Sequence, residues 1–167
     1  MTARLRLSLP KFAALWVFLA LTSLFVAPSP AAASPARASL AGASPAAALL
    51  RGERIVAAAR SQHGKPYRRG ASGPAAFDCS GLSGYAYRAA HIKLPRTANG
   101  QFRAAHPVSR AAARPGDLVF WVQGRHAYHV AVYAGAGRVW HAPKPGDRVR
   151  LAAIWSPREV RFGRFGA

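Results

Sequence analysis

The chain has 167 residues, with 24 Lys or Arg against 5 Asp or Glu and a formal net charge of +19. Such an excess of positive charge favours polyanionic surroundings. A lone cysteine, Cys79, excludes the intramolecular disulfide that small exported domains commonly use as a staple.

Arg4, Arg6 and Lys11 lead into an uncharged apolar run over 12–27, and small residues follow at Ala31, Ala32 and Ala33. This is the pattern of a secretory signal peptide, expected at 1–33. The run falls short of the ~20 residues that span a bilayer comfortably, and an uncleaved anchor is the alternative reading. The expected location is outside the cell or on its wall, with no membrane attachment once the signal is removed. The available polyanion is then the anionic polymer of the cell envelope and not a nucleic acid, with an Arg- and Ala-rich codon bias that only keeps the surface soluble as the alternative reading. Residues 34–50 are nearly all Ala, Ser and Pro, with no periodic apolar face, and read as a linker. Residues 51–167 suffice for one small domain and not for two, and a monomer is expected.

Within that domain, 53–62 has good helix formers and stops at Gly64 and Pro66. Residues 67–77 read as loop. From Cys79, the spacing of Leu82, Tyr85, Ala86 and Ala89 predicts a helix, which would place the thiol in its first turn. A second short helix or an irregular segment is expected over 96–105. The Pro115-Gly116-Asp117 turn feeds a strand at 118–122, and 129–133 with 138–142 reads as a hairpin. A further pair of strands is expected at 148–151 and 159–162. Helices first and antiparallel strands after them define an α+β domain, with helices packed on a small antiparallel sheet.

An unpaired thiol in an exported chain needs a reason; the plain one is a buried Cys79 acting as a small hydrophobe. A helix N-terminus favours the thiolate and supplies N–H groups for an oxyanion. The base must come from the histidines at 63, 91, 106, 126, 129 and 141. If Tyr133 pairs with Gly137, His129 falls opposite His141 on one face, so that one imidazole can orient the other. A slip of one residue would separate them. Cys79, His129 and His141 thus fit the logic of nucleophile, base and orienter. No HExxH occurs and these histidines lack the Cys or carboxylate partners of a zinc site, so neither a metal nor another cofactor is expected. His63, His91 and His106 read as surface residues, and Asp117 as a turn residue with a structural role.

The stretches GKPY (64–67), FDCSGL (77–82), LPRT followed by Gln101, PGDLVF (115–120), HVAVY (129–133) and HAP (141–143) resemble, in order, the NlpC-type cell-wall peptidases. These are papain-like cysteine enzymes that act on peptidoglycan stem peptides. The resemblance implies Cys79 as nucleophile, His129 as general base and later acid, and His141 as the residue that fixes it. Tyr67 would lie beside the sulfur and help polarise the scissile carbonyl; a core aromatic is its alternative role. Asp78 and Ser80 would help bind substrate, with helix capping an alternative for Ser80. Arg96, Thr97 and Gln101 would support the site or line its edge. Arg68-Arg69-Gly70-Ala71 replaces the family's commoner Trp-Gly-Gly, and Arg68 and Arg69 could attract a stem-peptide carboxylate. Ala131 stands where glycine is usual. The implied reaction is D,L-endopeptidase cleavage of the γ-D-glutamyl to diamino acid bond through an acyl-enzyme. A papain-like amidase or acyltransferase, or a non-catalytic wall-binding module, are the alternatives.

Overall fold

Ser44 is where the description of the chain begins: the computed structural model describes residues 44–166. The expected signal peptide and most of the expected linker lie outside the described residues. The Ser44 hydroxyl accepts from the Ala47 N–H at 3.2 Å and caps helix α1, Pro45–Arg60. This helix starts before the expected domain boundary at 51. A serine cap followed by proline at the first helical position is a start signal. Ala46–Leu50 then continue the helix on propensity alone, with Leu49 and Leu50 exposed.

Helix α2 spans Cys79–Arg88 and α3 spans Ala98–Ala104, the latter capped by Thr97, whose hydroxyl accepts from Gly100 N–H at 3.1 Å. The strands are β1 (His106–Val108), β2 (Leu118–Gln123), β3 (His126–Gly135), β4 (Arg138–His141), β5 (Arg150–Ala153) and β6 (Val160–Arg164). They form one antiparallel sheet in the order β1-β6-β2-β3-β4-β5. The two strands expected last do not pair with each other. β5 pairs with β4, whereas β6 pairs with β2 and β1 on the far side of the sheet. Short β1 was not anticipated from sequence.

Both faces of the central strands are buried, which is why β2 reads as an unbroken apolar run. Leu118, Phe120, Val130, Val132 and Trp140 pack with Ile55, Phe77, Leu82 and Tyr87 from the helical side. The alternating residues Val119, Trp121, Ala131 and Val139 pack with Val160 and Phe162 on the other face. Two glycines permit the closest backbone approaches. A Cβ at Gly52 of α1 would run into the Pro115 carbonyl of the turn before β2, and one at Gly81 of α2 would run into the Ala71 carbonyl. Thus α2 presses directly on the 67–77 loop, which brings Tyr67 toward the start of that helix.

The hairpin register differs from the expected one. Val132 pairs with Trp140 and Tyr133 with Val139, and the ladder shifts before Gly135↔Arg138. In this register His141 falls opposite Ala131, two residues from the expected partner. A shift of two preserves the face, because strand side chains alternate with period two. His129 and His141 therefore still share one side of the sheet.

Candidate active site

Cys79 is half-buried at the first position of α2. What fixes it there is Asp78, whose Oδ1 accepts from the Gly81 N–H at 2.6 Å as the helix cap. Its Oδ2 accepts from the Gly70 N–H at 2.9 Å, tying the helix start to the preceding loop. Arg96 closes the arrangement with a fork onto Asp78, at 3.1 Å to Oδ1 and 2.7 Å to Oδ2, and also donates to Ser80 Oγ at 3.0 Å. Burial opposes ionisation of Asp78, but Arg96 and the Gly81 and Gly70 N–H groups outweigh it and hold the carboxyl below its ordinary pKa. Both Asp78 oxygens are committed to the fold. The capping role that the sequence offered to Ser80 falls to Asp78, while the Ser80 hydroxyl bridges Asp78 and Arg96.

Gln101 is fully buried behind this clamp. It donates to the Ser80 and Pro95 carbonyls at 3.0 and 2.9 Å and accepts from Ser83 Oγ at 2.7 Å. Asp117, paired with Arg164 at 2.7 Å and accepting from the Arg114 N–H, holds its turn far from the thiol.

A cleft of about 830 Å³ opens over the sulfur, walled by Tyr67, Arg69, Asp78, Ser80, Arg96, His126 and Tyr128 among others. Tyr67 and Arg69 therefore reach it as expected, while exposed Arg68 is not among its lining residues. Burial raises the Tyr67 phenol's pKa, and negative charge at Cys79 and Asp78 would raise it further, so its proton stays available for donation. His126, one of the six histidines considered as the base, lines this cleft instead, and Tyr128 was missed in the sequence because it precedes the recognisable HVAVY stretch. The strand bulges there: Trp121 pairs with His129 but Val122 pairs with Ala127, leaving Tyr128 unpaired and half-exposed.

On the other side of Tyr128 lies a second pocket of about 490 Å³, containing His129 and His141 with Lys144, Asp147, Arg150 and Trp155. His129 Nε2 and His141 Nδ1 are 3.2 Å apart. Burial pushes His129 down to about 3, with the second imidazole acting in the same direction. Burial and then the Arg150 guanidinium push His141 down to about 4. Both rings are neutral at pH 7. Trp155, whose backbone carbonyl accepts from Trp121 Nε1–H at 2.9 Å, stacks on Trp121 at 3.9 Å and roofs both imidazoles at 5.6 and 5.1 Å. No strand or helix pattern marks this tryptophan in the sequence.

Cys79 and His129 thus line adjoining pockets, with Tyr128 in the wall of both, and among the described residues no hydrogen bond joins sulfur to imidazole. The thiol faces the N–H of Val130, the residue after His129. Burial raises the thiol pKa above its ordinary value, outweighing the Val130 and Ser80 N–H groups that favour the thiolate. The resting pair is a neutral thiol beside neutral imidazoles. His63, His91 and His106 are exposed, and no group of ligands able to hold a metal occurs among the described residues.

A helix that begins at a thiol and packs on an antiparallel sheet, with a histidine pair in the adjoining pocket, is the layout of a papain-like α+β fold. The NlpC/P60 family pattern matches residues 64–161, and the chain belongs to that family. It is 46% identical over 99 residues to the murein DD-endopeptidase MepH of Escherichia coli, covering 56% of this chain and 36% of that protein. It is 39% identical over 113 residues to the probable endopeptidase p60 of Listeria monocytogenes, covering 66% of this chain and 23% of that protein. The chain thus spans only a minor part of these two relatives. Among solved structures, the NlpC/p60 domain of the peptidoglycan hydrolase SagA superimposes with a TM-score of 0.63 at 33% identity, covering 68% of this chain and 98% of that one. RipD of Mycobacterium tuberculosis, described as a non-catalytic NlpC/p60 protein adapted to peptidoglycan binding, gives 0.58 at 28% identity, covering 68% and 96%.

Proposed function

We propose that the chain is an exported cysteine endopeptidase that hydrolyses peptidoglycan stem peptides at the bond between γ-D-glutamate and the diamino acid, meso-diaminopimelate in the simplest case. The observation that carries this reading is a half-buried thiol at the first turn of α2, flanked by a hydrogen-bonded histidine pair in the next pocket. His129 has its Nε2 engaged with His141, which leaves Nδ1 as the nitrogen free to take the thiol proton. Catalytic hydrogen bonds are often long in the free enzyme and tighten in the substrate complex. The charge separation here belongs to that complex, because both resting groups are neutral.

The Cys79 thiolate attacks the scissile carbonyl as His129 Nδ1 takes its proton. The oxyanion is held by the Cys79 N–H, which has no acceptor within the helix, and by the Tyr67 hydroxyl. The intermediate collapses to a thioester as the His129 imidazolium protonates the leaving amine. Water, deprotonated by the same imidazole, then releases the acid and restores the thiol. Arg69 at the cleft edge, with Arg68 beyond it, offers positive charge to a stem-peptide carboxylate. The basic chain concentrates on anionic wall polymers.

Two other readings draw on relatives. MepH is named a murein DD-endopeptidase, and RipD is described as non-catalytic. Digestion of defined linear and cross-linked muropeptides, with products identified by mass spectrometry, separates them. The proposal expects a product ending in D-glutamate and a partner with a free diamino acid amine. Cleavage confined to cross-links would replace the proposed bond, and binding without any product would replace catalysis.

A further inference from the structure

Among the described residues, only two buried side-chain polar atoms lack a hydrogen-bond partner: His141 Nε2 and Asp147 Oδ2. Both residues lie in the wall of the pocket that holds the histidine pair. Buried polar groups are seldom left unpaired, and two orphans in one wall have complementary chemistry. An ionised carboxylate can only accept, and an imidazole nitrogen can donate if it carries the proton. Both atoms are sealed from solvent, so a ligand in the open part of the pocket does not reach them.

We infer that Asp147 is a positioning residue for the histidine pair: its carboxylate, in the same pocket wall as the unpaired His141 Nε2 and not hydrogen-bonded to it, favours the proton on that nitrogen and thereby sets the tautomer of both rings. This rests on the reading of His129 as the base. With the proton on Nε2, His141 Nδ1 is a bare acceptor and takes the hydrogen bond from His129 Nε2–H across the 3.2 Å contact. His129 Nδ1 is then left with a free lone pair, the form a base requires. The opposite tautomer would leave a bare His141 Nε2 in one wall with a carboxylate, two acceptors together, and would put the neutral His129 proton on Nδ1, where it could take nothing from the thiol.

Asp147 is held for this task by the rest of its residue. Its Oδ1 is engaged by Arg150 at 2.9 Å, leaving Oδ2 as the spare oxygen, and its backbone carbonyl accepts from the Tyr67 N–H at 2.9 Å. One residue thereby links the tyrosine at the cleft over the sulfur to the histidines beyond Tyr128. The charged and titratable groups facing His141 are His129 on β3, Arg150 on β5, and Lys144 and Asp147 on the connecting turn. Burial and Arg150 oppose protonation of His141, and Asp147 is the group that favours it. The carboxylate thus also steadies the positive charge that forms on the pair when His129 takes the thiol proton.

The test records imidazole 15N shifts of His129 and His141 in the protein and in its Asp147→Ala and Asp147→Asn variants, together with the pH profile of muropeptide cleavage. The expectation is an Nε2–H tautomer on both rings of the parent and a mixed population at His141 in Asp147→Ala. In both variants the acidic limb of kcat/KM moves to lower pH, since removing a negative charge makes the imidazoles easier to deprotonate. In Asp147→Ala kcat falls on the order of 10- to 100-fold, as when an outer group that orients a functional imidazole is lost, with little change in KM. Asp147→Asn keeps the size of the side chain, so it reads the charge even if the alanine variant folds poorly. Unchanged tautomers with an unmoved acidic limb would overturn the inference. The tautomers are read without substrate. A parent that cleaves nothing but shows the Nε2–H pattern, lost on substitution, therefore sinks the proposed activity and not the role of Asp147.

Discussion

At the scale of single residues, the unusual feature is that nothing in the resting site is charged where charge is needed. A helix N-terminus lowers a thiol's pKa only if burial does not raise it more, and at Cys79 burial wins. Alkylation by iodoacetamide is therefore expected to climb with pH through the alkaline range above ~8.5, the value of a free thiol. A rate already on its plateau at pH 5 would show a preformed thiolate and imidazolium pair and would contradict this balance. The same scale shows what the sequence could convey. Cys79, Tyr67, His129 and His141 sit in recognisable stretches and reach the two pockets, because motif and local geometry coincide there. Trp155, Tyr128 and Asp147 lie in a coil, a bulge and a turn. Their relation to the site depends on tertiary placement, to which no periodic pattern corresponds.

At the scale of elements, the start of α2 is held by one carboxylate that serves as cap, loop tie and ion-pair partner at once. Asp78→Ala removes the cap, worth ~0.5–2 kcal/mol, and leaves Arg96 and the Gly70 N–H without their acceptor. A total loss of about 2–4 kcal/mol is expected in urea unfolding, since hydrogen bonds to charged groups contribute ~1.5–3 kcal/mol. A loss below about 0.5 kcal/mol would mean the clamp does not hold the helix. Gly81→Ala tests the neighbouring contact: a Cβ there meets the Ala71 carbonyl, which is backbone and cannot step aside without moving the loop that carries Tyr67. The expected result is a destabilised protein with reduced kcat, and unchanged stability and activity would show the loop to be free of α2. Elements also mark where inference from sequence fell short. The spans of α2, β2 and β4 follow from their residues. The pairing of β6 with β2 rather than with β5 does not, because several strand orders bury the same apolar faces. The hairpin slipped by two residues from expectation, yet the histidines kept their face because only parity matters there.

At the scale of the whole molecule, the two buried neutral histidines make folding depend on pH. Their folded pKa values, about 3 and about 4, lie below the ordinary 6.5. Between those limits the unfolded chain binds more protons than the folded one, so stability rises with pH across the window and is lost as pH falls through it. Asp78 acts in the same direction at lower pH, its stabilising contribution fading as acid reaches its depressed folded value. Thermal unfolding followed from pH 7 to pH 4 should show a falling Tm, and the fall should be shallower in a His129→Gln variant. Equal slopes in the two proteins would place the acid sensitivity elsewhere.

The central claim is that Cys79 is the nucleophile of a wall peptidase, and its most direct test is product formation from purified stem-peptide muropeptides by the protein and its Cys79→Ala variant, read by mass spectrometry. The account expects cleavage by the parent and none above buffer by the variant, with the variant's fold intact by circular dichroism. Equal product from both proteins would contradict it.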